Sequence, residues 1–69
     1  MADIGVLVDL LRAEARVARE KREDLVAQRL LEMADDTGEM SPEQREWVEQ
    51  ASEEEVRGFA AALRLLGGG

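Results

Sequence analysis

Apolar residues recur at helical spacing from the start of the chain. When residues 4–23 are placed at 100° steps, one face of the resulting helix is apolar and the opposite face is charged. The apolar face is formed by Ile4, Leu7, Val8, Leu11, Ala15 and Ala18, and the charged face by Asp9, Arg12, Arg16, Arg19, Glu20 and Glu23. Val6, Leu10, Ala13 and Val17 widen the apolar face. This pattern predicts an amphipathic helix that contacts more than one neighbouring element.

The apolar stripe is interrupted by six consecutive charged residues at positions 19–24. Arg22 and Arg29 fall on the side of the helix that Leu11 occupies, and apolar residues resume after the charged run. Either one long helix passes through a solvated segment, or two helices meet there. Because no residue in the run is a helix breaker, we predict a single helix over residues 3–35.

A turn is predicted over residues 36–41. Gly38 is expected to end the first helix in the left-handed conformation, which glycine adopts without steric cost. Ser41 then fits the N-cap of a new helix, with proline at the first helical position and Gln44 as the partner in a capping box. These signals predict a short second helix over residues 42–51.

Ser52 repeats the cap pattern before a predicted third helix over residues 53–66. The predicted buried faces of the second and third helices consist of Trp47, Val48, Ala51, Val56, Phe59, Ala60, Leu63 and Leu66. The glycines at 67–69 are predicted to be disordered. We therefore expect an all-α fold, a single domain over residues 1–66 in which a long N-terminal helix packs with a short helical hairpin in a small bundle.

The short length of the chain predicts self-association. A domain of about 60 residues buries only about 60% of the surface that its unfolded chain exposes, so its stability is marginal. The 69 residues include no cysteine, so disulfides are excluded, and only one Trp and one Phe, so the core must be aliphatic. We expect the bundle to be completed by formation of a homo-oligomer, in the simplest case a dimer.

Six large aliphatic residues between positions 4 and 11 favour an interface at the N-terminal end. Burying each such side chain is worth about 1.5–3 kcal/mol, and two short helices do not easily cover all of them. The predicted oligomer or partner interface consists of Ile4, Leu7, Val8, Leu10 and Leu11. The competing explanation is an intramolecular core. A helix lying on a membrane fits the pattern less well, because the net charge of −7 disfavours anionic lipid.

Charge is divided unevenly along the chain. Residues 12–30 carry six basic and four acidic side chains, whereas residues 31–56 carry ten acidic side chains and one basic. The predicted acidic surface consists of Glu43, Glu46, Glu49, Glu53 and Glu54, and the predicted basic stripe of Arg12, Arg16 and Arg19. The acidic half repels phosphates, so we expect no direct contact with nucleic acid or membranes. The acidic half either keeps the protein soluble, attracts a basic partner or mimics nucleic acid. The basic stripe is either a solvated face, a surface that grips phosphates or an acidic protein, or a surface that meets the acidic half of a second copy.

Catalytic groups are scarce. The absence of His and Cys excludes imidazole bases, thiol nucleophiles and Cys/His zinc sites. The acidic residues around Gly38 do not match a calcium loop, because Met33 would stand at its first position. We expect no enzymatic activity, no cofactor and no metal. A cytoplasmic location is expected, because the uncharged stretches are too short to span a bilayer and the N-terminus lacks the features of a secretory signal.

These features predict a small acidic protein that binds another protein as a regulator or inhibitor. A phage-type inhibitor whose carboxylates mimic nucleic acid is the sharpest form of this hypothesis. The alternative is a structural or accessory subunit that docks through its apolar N-terminal helix. The two functions differ in salt dependence: contacts between surface charges weaken as salt rises, whereas docking through Leu7, Val8 and Leu11 is nearly indifferent to salt.

Overall fold

The computed structural model describes residues 2–68, and these residues form helices joined by short connections. In chain order the elements are α1 (Ile4–Glu20), α2 (Asp24–Asp35), the 3-10 helix Thr37–Glu39, α3 (Pro42–Gln50) and α4 (Glu53–Gly68). No strand occurs between residues 2 and 68, so the predicted all-α class is confirmed. The helices α1, α2 and α4 pack against one another, and α3 makes a smaller contact with α1.

The single helix predicted over residues 3–35 is wrong, because a three-residue turn separates α1 from α2. At this turn Arg22 adopts a left-handed conformation with φ of 62°. Its N–H donates to the carbonyl oxygen of Arg19 at 3.0 Å, and the N–H of Glu23 donates to the carbonyl oxygen of Ala18 at 2.8 Å. These two bonds form a Schellman motif in which an arginine occupies the position that glycine usually takes.

Burial of apolar surface explains why the chain turns at Arg22. A continuous helix over residues 4–35 would be about 48 Å long, whereas the largest dimension of the folded chain is 33 Å. The turn places Ala18 of α1 in the same buried cluster as Ala27 and Leu30 of α2. The left-handed arginine costs about 1–2 kcal/mol, and burial of one leucine, worth about 1.5–3 kcal/mol, offsets that cost.

The core is a single cluster of small aliphatic side chains. Seven of its thirteen members are alanine, and no aromatic side chain between residues 2 and 68 belongs to it. The cluster consists of Ala2, Leu7, Leu11, Ala15, Ala18, Val26, Ala27, Leu30, Ala34, Val48, Ala51, Val56 and Ala60. Alanine at a helix contact allows the two helices to approach closely. The predicted aliphatic core is therefore confirmed.

Both predicted helix starts in the second half are confirmed. The Oγ of Ser41 accepts the N–H of Gln44 at 3.2 Å, and the side-chain oxygen of Gln44 accepts the N–H of Ser41 at 3.1 Å. Ser52 and Glu55 form the same reciprocal pair, at 3.2 and 3.4 Å. Each capping box satisfies backbone donors that a helix start leaves unpaired, and so determines where α3 and α4 begin.

The prediction that Gly38 adopts a left-handed conformation in the turn over residues 36–41 is wrong. No glycine between residues 2 and 68 has a positive φ, and Gly38 lies inside the 3-10 helix Thr37–Glu39. The N–H of Glu39 donates to the carbonyl oxygen of Asp36 at 2.9 Å. Such short-range bonds tighten the chain after α2, so no left-handed residue is needed there.

The prediction of a disordered triglycine tail is wrong for the part of the tail that the structure describes. Gly67 and Gly68 continue α4, and Gly69 lies outside the described residues. A Cβ atom placed on Gly67 would lie 3.4 Å from a methyl carbon of Val26. The last turn of α4 therefore packs beside the first turn of α2, which supports helix beyond the predicted end at residue 66.

Candidate functional site

A groove of about 670 Å³ opens between α2, the 3-10 helix, α3 and α4. Three buried aliphatic side chains of the core form its floor, namely Leu7, Leu11 and Val48. Its larger apolar side chains are Met33, Met40, Trp47, Phe59 and Leu63. We call this feature the groove throughout.

Both aromatic side chains of the chain lie in the groove. Trp47 is 45% exposed and Phe59 is 40% exposed. Their ring centroids are 5.4 Å apart and the rings are tilted by 59°, a favourable geometry for an aromatic pair. The prediction that these two residues belong to the buried faces of α3 and α4 is therefore wrong.

The orientation of the two helices explains this difference. Each aromatic residue directly precedes a small buried residue, Val48 in α3 and Ala60 in α4. Consecutive residues of a helix point about 100° apart, so the side chain before a fully inward residue lies at the boundary of the buried face. Val48, Ala51, Val56 and Ala60 are buried as predicted, and the aromatic rings extend along the rim of the core.

Methionine is the second type of side chain concentrated in the groove. Met33 is 42% exposed and Met40 is half-buried, and both line the groove. The unbranched, polarisable methionine side chain adapts its shape to different contacts and is common on binding surfaces. The groove therefore combines two rigid aromatic rings with two adaptable side chains.

A smaller cleft of about 230 Å³ adjoins the groove along α2 and α4. The two sites share Arg29, Met33 and Leu63 in their walls. Leu66, which also lines the cleft, was predicted to be buried but is 78% exposed. The last turn of α4 packs on α2 through Gly67, and Leu66, one position earlier, points about 100° away from that contact.

The rim of the groove is acidic. Glu32, Asp36 and Glu39 line it and are exposed, whereas Arg29 is its one cationic lining residue. In the described part of the chain, no Lys or Arg nitrogen lies within 4.0 Å of these three carboxylates. These three carboxylates therefore form no ion pair within the described residues, and they outnumber the single guanidinium of the groove.

Two polar contacts hold the helices that carry the aromatic residues. The guanidinium of Arg45 in α3 donates to the carbonyl oxygen of Thr37 at 3.1 Å, which ties α3 to the 3-10 helix. The guanidinium of Arg64 in α4 donates to the carboxylate of Glu14 in α1, and both side chains are largely buried. The groove is thus formed by helices that are fixed on either side of it.

The predicted interface at the N-terminal end needs a correction. Leu7 and Leu11 are each 2% exposed, so they belong to the core of the chain and reach the surface only at the floor of the groove. Ile4, Val8 and Leu10 are half-buried and pack against that core. The reason is that α2 and α4 both pack on α1 and cover more of it than the predicted hairpin could. Contact of Ile4, Val8 and Leu10 with a partner stays a prediction.

The predicted charged surfaces lie outside the groove. The acidic surface (Glu43, Glu46, Glu49, Glu53 and Glu54) is exposed on α3 and the start of α4, and the basic stripe (Arg12, Arg16 and Arg19) is exposed on α1. Between residues 2 and 68 no opposite charge lies within 4.0 Å of any of them. Their role in binding stays a prediction, and none of these residues lines the groove.

The groove was not predicted from the sequence, although the sequence contains a signal for it. Both aromatic residues and two of the three methionines fall within residues 33–59, the same segment that carries most of the acidic charge. Large apolar residues interspersed with unpaired carboxylates indicate a surface that is both apolar and charged. Helical periodicity alone does not distinguish such a surface from a core.

The described residues contain neither a cluster of metal ligands nor a membrane-spanning helix. Among them, no group of three or more acidic side chains is arranged to hold a metal ion. No helix between residues 2 and 68 combines the length and the apolarity that crossing a membrane requires. Comparison of the chain with protein-family models, with curated proteins and with solved structures found no match. The groove is therefore interpreted from its own geometry.

Proposed function

We propose that this protein is a non-enzymatic interaction module that binds another protein in the groove and thereby regulates or inhibits it. One observation carries the proposal: the only two aromatic side chains of the chain, Trp47 and Phe59, are paired in an open groove and not buried in the core. Tryptophan and other large side chains that fill pockets dominate the energy of protein interfaces.

The energetics of a small domain support the same proposal. Full burial of a large apolar side chain is worth about 1.5–3 kcal/mol. A chain of 69 residues has a total stability of only about 3–10 kcal/mol, at roughly 0.05–0.15 kcal/mol per residue. Leaving Trp47, Phe59 and Met33 partly exposed forgoes a substantial share of that stability, and a bound partner would recover it.

The alternative function, an accessory subunit docked through the N-terminal helix, has less support. Of the five residues proposed to dock, Leu7 and Leu11 are buried in the core. The remaining three are half-buried and offer a small contact area. Formation of a homodimer also stays a prediction, which light scattering tests.

The proposed function is tested by two variants of α4 that each remove one exposed large apolar side chain. Phe59→Ala removes a groove residue, whereas Leu65→Ala removes an exposed leucine that lines neither the groove nor the smaller cleft. The tagged protein is used to capture its partner from the source organism, the partner is identified and purified, and its affinity is measured by calorimetry. We expect Phe59→Ala to weaken binding by about tenfold or more, the effect of losing a typical interface anchor.

The matched variant Leu65→Ala should leave the affinity within about twofold of the original, as expected for a side chain outside the contact. Met33→Ala serves as a second groove variant in case Phe59→Ala disturbs folding, which circular dichroism reports. A partner that binds both groove variants as tightly as the unaltered protein would show that the groove is not the binding site.

A further inference from the structure

We infer that the partner occupies the groove with a basic amphipathic helix whose apolar face packs on Trp47 and Phe59. This inference rests on the proposed function, because it names the kind of element that the groove takes. It depends on three features of the described residues: the charge at the rim, the absence of a sheet edge, and the character of the exposed surface of α1.

The charge at the rim selects a cationic element. Three carboxylates line the groove against one guanidinium, and no cation of the described chain lies within 4.0 Å of those carboxylates. Oppositely charged residues across an interface steer association and exclude partners of the wrong charge. A helix that places Lys or Arg beside its apolar residues would meet Glu32, Asp36 and Glu39 with these cations.

The architecture around the groove selects a helix over an extended strand. Residues 2–68 contain no strand, so no sheet edge exists here on which an extended peptide could pair its backbone. A groove between helices commonly receives the apolar face of an amphipathic helix, with anchors at positions i, i+3 or i+4, and i+7. The flexible side chains of Met33 and Met40 would adjust to such anchors.

A second copy of the chain does not offer a suitable helix. Its exposed basic stripe lies on α1, whose apolar side chains Leu7, Leu11, Ala15 and Ala18 are buried in the core. All exposed large apolar residues between positions 2 and 68 lie on α2, α3 or α4, and none lies on α1. The exposed basic face of this helix therefore carries no large apolar anchor. The remaining apolar side chains of α1, such as Ile4, Val8 and Leu10, are half-buried against the core of the same chain, which favours a helix from another protein.

Trp47 provides a direct measurement, because it is the only tryptophan of the chain and it lines the groove. The probe is a synthetic peptide of about five helical turns, built from Leu at helical spacing and Lys elsewhere. One control peptide has Glu in place of Lys, and a second has the first composition in scrambled order. We expect only the ordered Leu/Lys peptide to shift the Trp47 emission to shorter wavelength with saturation, and its affinity to fall as salt rises.

Two triple variants separate the rim of the groove from general negative charge. Glu32→Gln, Asp36→Asn and Glu39→Gln together remove three charges at the groove, and Glu49→Gln, Glu53→Gln and Glu54→Gln remove three from the predicted acidic surface. Because the net charge of both variants is equal, attraction by overall charge would weaken equally in both. We expect the groove variant to lose about tenfold in affinity for the Leu/Lys peptide and the other variant less than about twofold.

Several results of these measurements would contradict the inference. If the Leu/Lys peptide gives no saturable shift, if the Leu/Glu peptide binds as well, or if both triple variants weaken binding equally, the basic helix is excluded as the occupant. If Phe59→Ala nevertheless weakens binding of the purified partner by about tenfold or more in that case, the proposed function stands and only the inference fails. If light scattering instead shows a dimer that Phe59→Ala dissociates, a second copy occupies the groove and the inference is overturned.

Discussion

Two apolar regions of this small protein are built from different kinds of side chain. Where α1, α2 and α4 meet, the buried cluster consists of alanine, valine and leucine, and more than half of its members are alanine. In the groove the exposed apolar side chains are Trp47, Phe59 and Met33. Small residues therefore lie where the helices approach closely, and large or adaptable residues lie where the surface is open.

The closed region stabilises the fold, and the open region is the surface on which the proposed binding function depends. Aromatic side chains bury the largest area per residue and are the most effective way to enlarge a small core. Here the chain places both of its aromatic residues outside the core, although its small size makes stability scarce. The three predictions that follow test this division between the core and the groove.

The largest expected difference is between two residues of α2 that are three positions apart. Leu30 is 1% exposed in the core, whereas Met33 is 42% exposed in the groove. Leu30→Ala should cost about 2–5 kcal/mol of unfolding free energy. Met33→Ala should cost less than about 1 kcal/mol, because its side chain already contacts water and leaves no closed cavity. Urea unfolding followed by circular dichroism measures both values, and equal losses would mean that the groove is part of the core.

A smaller difference is expected when alanines of α1 are enlarged. Ala18 is fully buried, and Ala13 is exposed on the same helix. Leucine and alanine have similar helix propensities, so Ala18→Leu tests the close approach of the helices. It should destabilise the fold by about 1–3 kcal/mol through overpacking, whereas Ala13→Leu should stay within about 0.5 kcal/mol. A thermal midpoint unchanged by Ala18→Leu would contradict the tightly packed, alanine-rich core.

The features of the fold that were predicted from the sequence are those determined by neighbouring residues. The starts of α3 and α4 follow from the capping boxes at Ser41 and Ser52, whose hydrogen bonds span only three residues. The all-α class and the aliphatic core follow from composition and periodicity. Each of these depends on rules that operate within one or two helical turns, and so needs no knowledge of the packing.

The break between α1 and α2 was not predicted because packing between distant residues decides it. No residue of the charged run disfavours helix, and Arg22 takes a conformation for which its own preference is unfavourable. The sequence does contain an indirect signal. In a continuous helix, Arg22 and Arg29 would fall on the same face as Leu11. The apolar stripe is therefore interrupted at the place where the chain turns.

The groove was not predicted because helical periodicity does not decide which of two adjacent apolar residues is buried. Trp47 and Val48 are both apolar neighbours in α3, and their side chains point about 100° apart. Which of them is buried depends on how α3 sits on α1, and this depends on the turn at Arg22 that sets the position of α2. The wrong prediction of one continuous helix over residues 3–35 therefore leads to the wrong prediction that Trp47 is buried.

The turn at Arg22 gives the smallest of the three effects and the only one expected to be stabilising. The left-handed conformation costs an arginine about 1–2 kcal/mol, while glycine adopts it freely but loses more conformational entropy on folding, worth about 0.5–1 kcal/mol. Arg22→Gly should therefore raise the unfolding free energy by about 0.5–1 kcal/mol. The urea midpoint measures this increase.

Lys21→Gly is the matched control for Arg22→Gly, because Lys21 precedes Arg22 and caps α1 with φ of −89°. Glycine relieves no strain at such a position and should lower the stability by about 0.5–1 kcal/mol. Opposite signs for two adjacent glycine substitutions would establish that the chain folds back here through a Schellman motif. If both substitutions destabilise the fold, the helix continues through the charged run. The closed core between α1 and α2 then does not form as described, and the difference between core and groove is contradicted as well.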